Sequence, residues 1–287
     1  MELAKSVLLA LLALLAWLAA GSTADDRLTL MSFMSGMATN SSLALAQSSW
    51  GNSSVPTCQW RGVTCGLSGR RRGRVVALDL PGLGLDGTIP PELGNLTYLR
   101  WLHLPANHLH GILPPELGNL PELSHLNLSY NSFQGRIPGS LSNCTRLQNL
   151  LLYSNSLHGE IPPELCLLSD LKEIGGLVNL VGLGLGYNLL RGSIPASLGN
   201  LSALQYISPI PLSLGKLGTL VTLRLDYNEL EGSFPPSLLN LSTLEDLGLQ
   251  SNRLSGSFPH EIDCQSWHFQ KINSKQQAML IGDFCRA

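Results

Sequence analysis

With 287 residues, 44% of them hydrophobic and only 13% charged, the chain can bury a long core, and its leucine bias comes from internal repeats rather than from a membrane domain. A formal net charge of −2 argues against a general nucleic-acid binder.

The first residues read as a targeting signal. Lys5 precedes an apolar run from Val7 to Ala20, too short to span a bilayer, and small residues follow through Ser22, Thr23 and Ala24. Cleavage is expected after Ala24, so residues 1–24 are a signal peptide; a membrane anchor is the alternative, and no other run of spanning length follows downstream. The mature chain is expected to be secreted through an oxidising compartment.

Residues 25–74 read as an N-terminal cap. Cys58 and Cys65 flank the phrase QWRGVT, with Trp50 and Trp60 nearby, and a disulfide between them would seal the open edge of whatever stacks behind. The run Arg70, Arg71, Arg72 and Arg74 closes the cap; it reads as a solvated surface turn, with a functional basic patch as the alternative.

From residue 75 to 259 one phrase recurs, read at Leu126–Pro138 as LNLSYNSFQGRIP. Its asparagines are Asn107, Asn131, Asn155, Asn188, Asn228 and Asn252, spaced by 24 residues wherever the unit is intact, and a period in this range marks a stacked solenoid. Within one unit Leu123, Leu126 and Leu128 point inward while the residues between them alternate outward, as a short parallel strand demands. Asn131 turns the chain and bonds backbone groups that the bend leaves unpaired, so stacked copies form a ladder. Phe133 fills the core, Gly135 permits a tight conformation, and Ile137-Pro138 starts a second extended piece. Leu141 and Cys144 form the apolar pair of the convex side. The fold expected is an α/β-type repeat solenoid, a curved superhelix with a parallel sheet on its concave face and a small N-terminal cap.

Two units are irregular: 33 residues separate Asn155 from Asn188, and 40 separate Asn188 from Asn228. A unit without its strand leucines forgoes about 2 kcal/mol for each apolar side chain left unburied. The coils of Asn155, Asn188 and Asn228 are therefore expected to stack directly, with the surplus residues bulging on the convex side; a physical break in the solenoid is the alternative.

Cys144 and Cys166 occupy convex repeat positions and read as buried free thiols. Residues 260–287 form an atypical tail, in which Cys264 and Cys285 have the placement to staple a C-terminal cap although the segment between them does not continue the repeat; their pairing stays open. Glycosylation sequons stand at Asn40, Asn52, Asn95, Asn143, Asn200 and Asn240, and four of these share one convex repeat position. A seventh, at Asn127, points out of a concave strand and is expected to be poorly occupied.

The outward strand residues are the candidate ligand-binding surface: Arg100, Trp101, His103, His125, Tyr130, Asn149, Tyr153, Tyr187, Arg224, Asp226 and Tyr227, with Asn127, Leu151 and Asp246 on the same face. Tyr130, Tyr187 and Tyr227 share the column just before the ladder asparagine. Exposed aromatics with arginine resemble a binding surface, while strand propensity alone also favours tyrosine there. Catalysis finds no support: the seven histidines are scattered, with no paired carboxylates or metal-ligand spacing, so no enzyme activity, metal or cofactor is expected.

The residues DRLTLMSF, Trp50, CQWRGVTC and GRVVALDLPGLGLDGTIPPELGNLTYLR together resemble the cap and first repeat of plant leucine-rich-repeat receptor kinases of the group that includes grass immune receptors, and the likeness runs from about Asp25 to Pro259. The resemblance implies the ectodomain of a defence-signalling receptor. It implies a peptide or protein ligand, microbial in the immune case, a leucine-rich-repeat co-receptor kinase, and an extracellular, apoplastic location. The family also implies more repeats, a membrane helix and a cytoplasmic kinase, none of which this chain carries before Ala287; plasma-membrane residence is expected only of a longer form. Two alternatives stand beside this reading: a secreted inhibitor resembling polygalacturonase-inhibiting proteins, and a nonfunctional truncated gene copy.

Overall fold

The computed structural model describes residues 23–38, 45, 49–166, 180–199, 220–241 and 243–256. The leader, Asn40, Asn200 and the tail with Cys264 and Cys285 lie outside the described residues, as do the side chains of Cys166 and Asn240.

The inward leucines set the main sheet. Strand β1 (Val63–Cys65) lies antiparallel to β2 (Val75–Asp79), and β2 begins a parallel series with β4 (Trp101–His103), β6 (His125–Asn127), β8 (Asn149–Leu151), β10 (Gly182–Gly184), β12 (Thr222–Arg224) and β14 (Asp246–Gly248). These eight strands form one sheet. The register is uniform: Trp101, His125, Asn149, Gly182, Thr222 and Asp246 stand in one row across it. Between them the central leucines Leu102, Leu126, Leu150, Leu183 and Leu223 are fully buried. Burying each such side chain stabilises the stack by about 1.5–3 kcal/mol, and only a neighbouring coil can do it.

A second, narrower sheet runs along the flank. It contains β3 (Asp86–Gly87), β5 (His108–Ile112), β7 (Ser132–Gly135), β9 (Ser156–Gly159) and β11 (Leu189–Leu190), and β13 (Glu231–Ser233) pairs with β15 (Arg253–Ser255) further along. Each of the first four ends before the Ile-Pro or Leu-Pro step, where proline has no N–H to continue the ladder. Short 3-10 turns such as Pro115–Asn119 and Gly139–Asn143 then cross the convex side, burying Leu117, Leu141 and Cys144. Cys144 is a free thiol, and burial pushes its pKa up to about 12, so it behaves as a small apolar filler.

The asparagine ladder is built as its chemistry requires. Asn131 accepts the Leu109 N–H at 3.0 Å and donates to Leu104 O of the preceding coil and to Leu128 O of its own. The pattern continues across both irregular gaps: Asn188 accepts the Leu157 N–H, Asn228 accepts the Leu190 N–H, each at 3.0 Å, and β8, β10 and β12 pair in register. The coils on either side of each gap therefore stack directly. The surplus segments, 167–179 and 200–219, lie outside the described residues.

The cap is bonded into the first coils. Helix α1 (Thr23–Ser35) buries Leu30 and Phe33, and Phe33, Trp50 and Trp60 form a chain of ring contacts with centroids 6.1 and 5.2 Å apart. The Cys58–Cys65 disulfide is present, and it ties the turn before β1 to the end of that strand. The arginine run departs from the expected solvated turn. Arg74 is buried and forms a two-pronged ion pair with Asp26 of α1 at 2.7 and 2.9 Å, because Asp26 also accepts the Val75 N–H and so holds the start of β2. Arg71 reaches Glu122, two coils on, at 2.7 Å.

Candidate functional site

The outward rows of the main sheet meet no second layer, so their side chains are held by one another rather than by a core. At the N-terminal end Trp101 and His125 stack in parallel, centroids 3.9 Å apart, and Trp101 keeps 48% of its surface exposed. Partial burial lowers the His125 pKa, and the nearby Arg100 guanidinium lowers it further, so the ring is held neutral against the indole. His103 Nδ1 lies 2.7 Å from Asp79 Oδ1, a partner that sequence reading did not single out.

Asn127 corrects an expectation. It is half-buried, and its Oδ1 accepts the Ser129 N–H at 3.0 Å, a local turn bond that ties down the side chain.

The middle of the sheet is shaped by missing side chains. Strand β10 and its continuation present Gly182, Gly184 and Gly186 to the concave face, and the neighbours lean into the space. A Cβ on Gly184 would meet the Tyr153 ring at 2.3 Å, and one on Gly182 would meet Asn149 Oδ1 at 2.7 Å. Tyr153 is thus half-buried on the sheet surface rather than standing out from it, and burial pushes its phenol up to about 12. The phrase GLGLG carried this signal, since only glycine in three alternate positions leaves such a trough.

Next to the trough, Arg224 Nε bonds Asp246 Oδ2 at 2.8 Å. Asp226, read from sequence as facing solvent, is only 6% exposed, and burial raises the pKa of its carboxyl. Its Oδ1 and that of Asp246 are buried and accept no hydrogen bond.

Along the edge of the face, Tyr130, Tyr187 and Tyr227 share the column before the ladder asparagine, together with Ala106, Ser154 and Ser251. All six have left-handed backbones, with φ between 51° and 56°, because the turn into the asparagine demands it. Tyr187 and Tyr227 stack at 4.1 Å, and the hydrogen bond between their side chains raises the Tyr187 phenol above its usual range. Tyr130 is 62% exposed and stands alone, since Ser154 occupies the next position.

The site residues thus fall into two aromatic pairs, a glycine trough roofed by Tyr153, and an Arg-Asp cluster. Among the described residues no three His, Cys, Asp or Glu side chains gather as a metal site, and no helix is long and apolar enough to cross a membrane.

Family models for a leucine-rich-repeat N-terminal domain match residues 23–66, and leucine-rich-repeat models match 97–157 and 219–241. The receptor-like serine/threonine kinase EFR of Arabidopsis thaliana is 45% identical over 83 residues, 29% of this chain but only 8% of EFR. Among solved structures, Pollen Receptor Kinase 3 superposes with a TM-score of 0.53 at 32% identity, covering 72% of this chain and 86% of that one. The Arabidopsis receptor kinase HAESA, in complex with the peptide hormone IDA and the co-receptor SERK1, gives a TM-score of 0.50 at 31% identity, covering 82% of this chain and 43% of that one.

Proposed function

Since the chain belongs to the leucine-rich-repeat family of plant receptor-kinase ectodomains, we propose that its concave face is the recognition surface of an extracellular receptor-like protein whose ligand is a peptide or small protein. The observation that carries this reading is the pair of exposed aromatic stacks, Trp101 on His125 and Tyr187 on Tyr227, displayed on a rigid sheet that gives them no core to fill. Rigid aromatic platforms bury large area at little conformational cost, which is why such residues dominate binding hot spots. An extended ligand lying across the strands would cross both stacks and the trough between them. HAESA holds its peptide together with a co-receptor, and a co-receptor of the same repeat class is part of the reading for this chain.

The reading includes defence signalling as the biological setting, a leader ending at Ala24, and glycans at Asn40, Asn52, Asn95, Asn143, Asn200 and Asn240. The exposure of Asn52, Asn95 and Asn143 supports the glycans.

A random peptide display library selected against the secreted chain tests the surface. Enriched peptides should lose about 30-fold or more in affinity on Trp101→Ala or Tyr227→Ala, equivalent to about 2 kcal/mol, and nothing on Glu116→Ala of the convex side. Binders indifferent to both aromatics and abolished by the convex change would overturn the proposal.

A further inference from the structure

We infer that Tyr153, Arg224, Asp226 and Asp246 form a subsite for a cationic side chain, guanidinium or ammonium, carried by the extended ligand. The inference rests on the concave face being the recognition surface and adds what that surface selects.

The argument starts from charge. Two carboxylates and one guanidinium share the cluster, and Arg224 spends its Nε on Asp246. Asp226 is more than nine-tenths buried, yet its Oδ1 accepts nothing, and Asp246 Oδ1 is in the same state. Buried carboxylate oxygens are almost always bonded, so two orphaned acceptors in one cluster call for a donor from outside the fold.

Shape points the same way. Asp226 Oδ1 lies 3.2 Å from where a Cβ on Gly186 would be and 2.7 Å from where one on Gly248 would be, so glycines on both sides leave the carboxylate in the floor of the face with no side chain beside it. Tyr153 lies over Gly184 at the rim of the trough, where its ring can flank an entering cation. A neutral or anionic group has little to gain here. The orphaned atoms are acceptors only, and the cluster carries one uncompensated negative charge when both carboxylates are ionised. Burial raises the pKa of the Asp226 carboxyl, as expected of an acid that lacks its counter-ion.

The test uses the full secreted chain and two fluorescent Gly/Ser heptapeptides, one with a central arginine and one with citrulline, which keeps the shape and removes the charge. The arginine peptide should bind at least tenfold more tightly by fluorescence polarisation. That preference should vanish in the Asp226→Asn, Asp246→Asn double variant and survive in Glu116→Gln. Equal binding of the two peptides to the unaltered chain overturns the subsite without reference to any variant, and so does a preference that the folded double variant retains. Should library peptides depend on Trp101 and Tyr227 while showing no basic preference, the subsite fails and the recognition surface stands.

Discussion

Each ladder asparagine serves two coils at once, so a single side chain carries several backbone groups. Removing the Asn131 amide strips the Leu109 N–H and the Leu104 and Leu128 carbonyls of a partner. Asn131→Ala is expected to cost about 1–3 kcal/mol per group left buried and unpaired. Asn127→Ala removes one turn bond to Ser129, worth about 0.5–1.5 kcal/mol. Thermal melts should order the two variants that way, and equal shifts would contradict the frame. His125 supplies a pH test at the same scale. Its folded pKa lies below the unfolded value near 6.5, so the unfolded chain takes up the proton first. Stability from this group is present above about pH 6.5 and falls as pH drops toward the folded pKa. Asp226 works in the opposite sense, since its raised folded pKa makes protonation at lower pH favour the fold. The melting temperature should therefore fall more from pH 7.5 to 5.5 in the unaltered chain than in His125→Gln; parallel profiles would remove His125 from the account.

At the scale of elements, the cap and the first coil are one unit because Asp26 binds Arg74 and the Val75 N–H together. Arg74→Ala leaves a buried carboxylate without its counter-ion, and breaking such a pair typically costs about 3–5 kcal/mol. The variant should melt well below the unaltered chain even with the Cys58–Cys65 disulfide intact, and a melt within a degree of it would show that α1 is not held by this pair. Strand β10 shows the reverse economy, in which an element acts through side chains it lacks. Its glycines set where Tyr153 and Asn149 lie.

For the whole molecule, the eight-stranded sheet runs unbroken through both irregular gaps, so insertions of different length are absorbed outside the strands. This much was legible in the chain, because leucine, asparagine and glycine recur at positions whose geometry each of them suits. The ladder could be numbered from Asn107 to Asn252 on spacing alone. Other features were not legible, and the reasons are physical. Arg74 finds Asp26 across 48 residues, a contact that no local pattern encodes. Tyr153 and Asp226 were placed on the correct face, but their burial depends on what the adjacent strand leaves empty, which is a property of two repeats at once. The stacking of Tyr187 on Tyr227 likewise depends on the direct contact of coils that lie 40 residues apart in sequence.

The left-handed tyrosines show selection acting against stability. A residue bearing a Cβ pays about 1–2 kcal/mol in that conformation, a penalty glycine escapes, although glycine's freer unfolded chain returns about 0.5–1 kcal/mol of it. Tyr130 has no stacked partner to offset the strain, so its ring is retained at the expense of the fold. Tyr130→Gly should then hold or raise the melting temperature of the secreted chain while weakening whatever peptides the display selection returns. A variant that melts lower and binds as before would mean that Tyr130 is kept for the scaffold, whereas the opposed changes would mark it as a position where evolution has traded robustness for recognition.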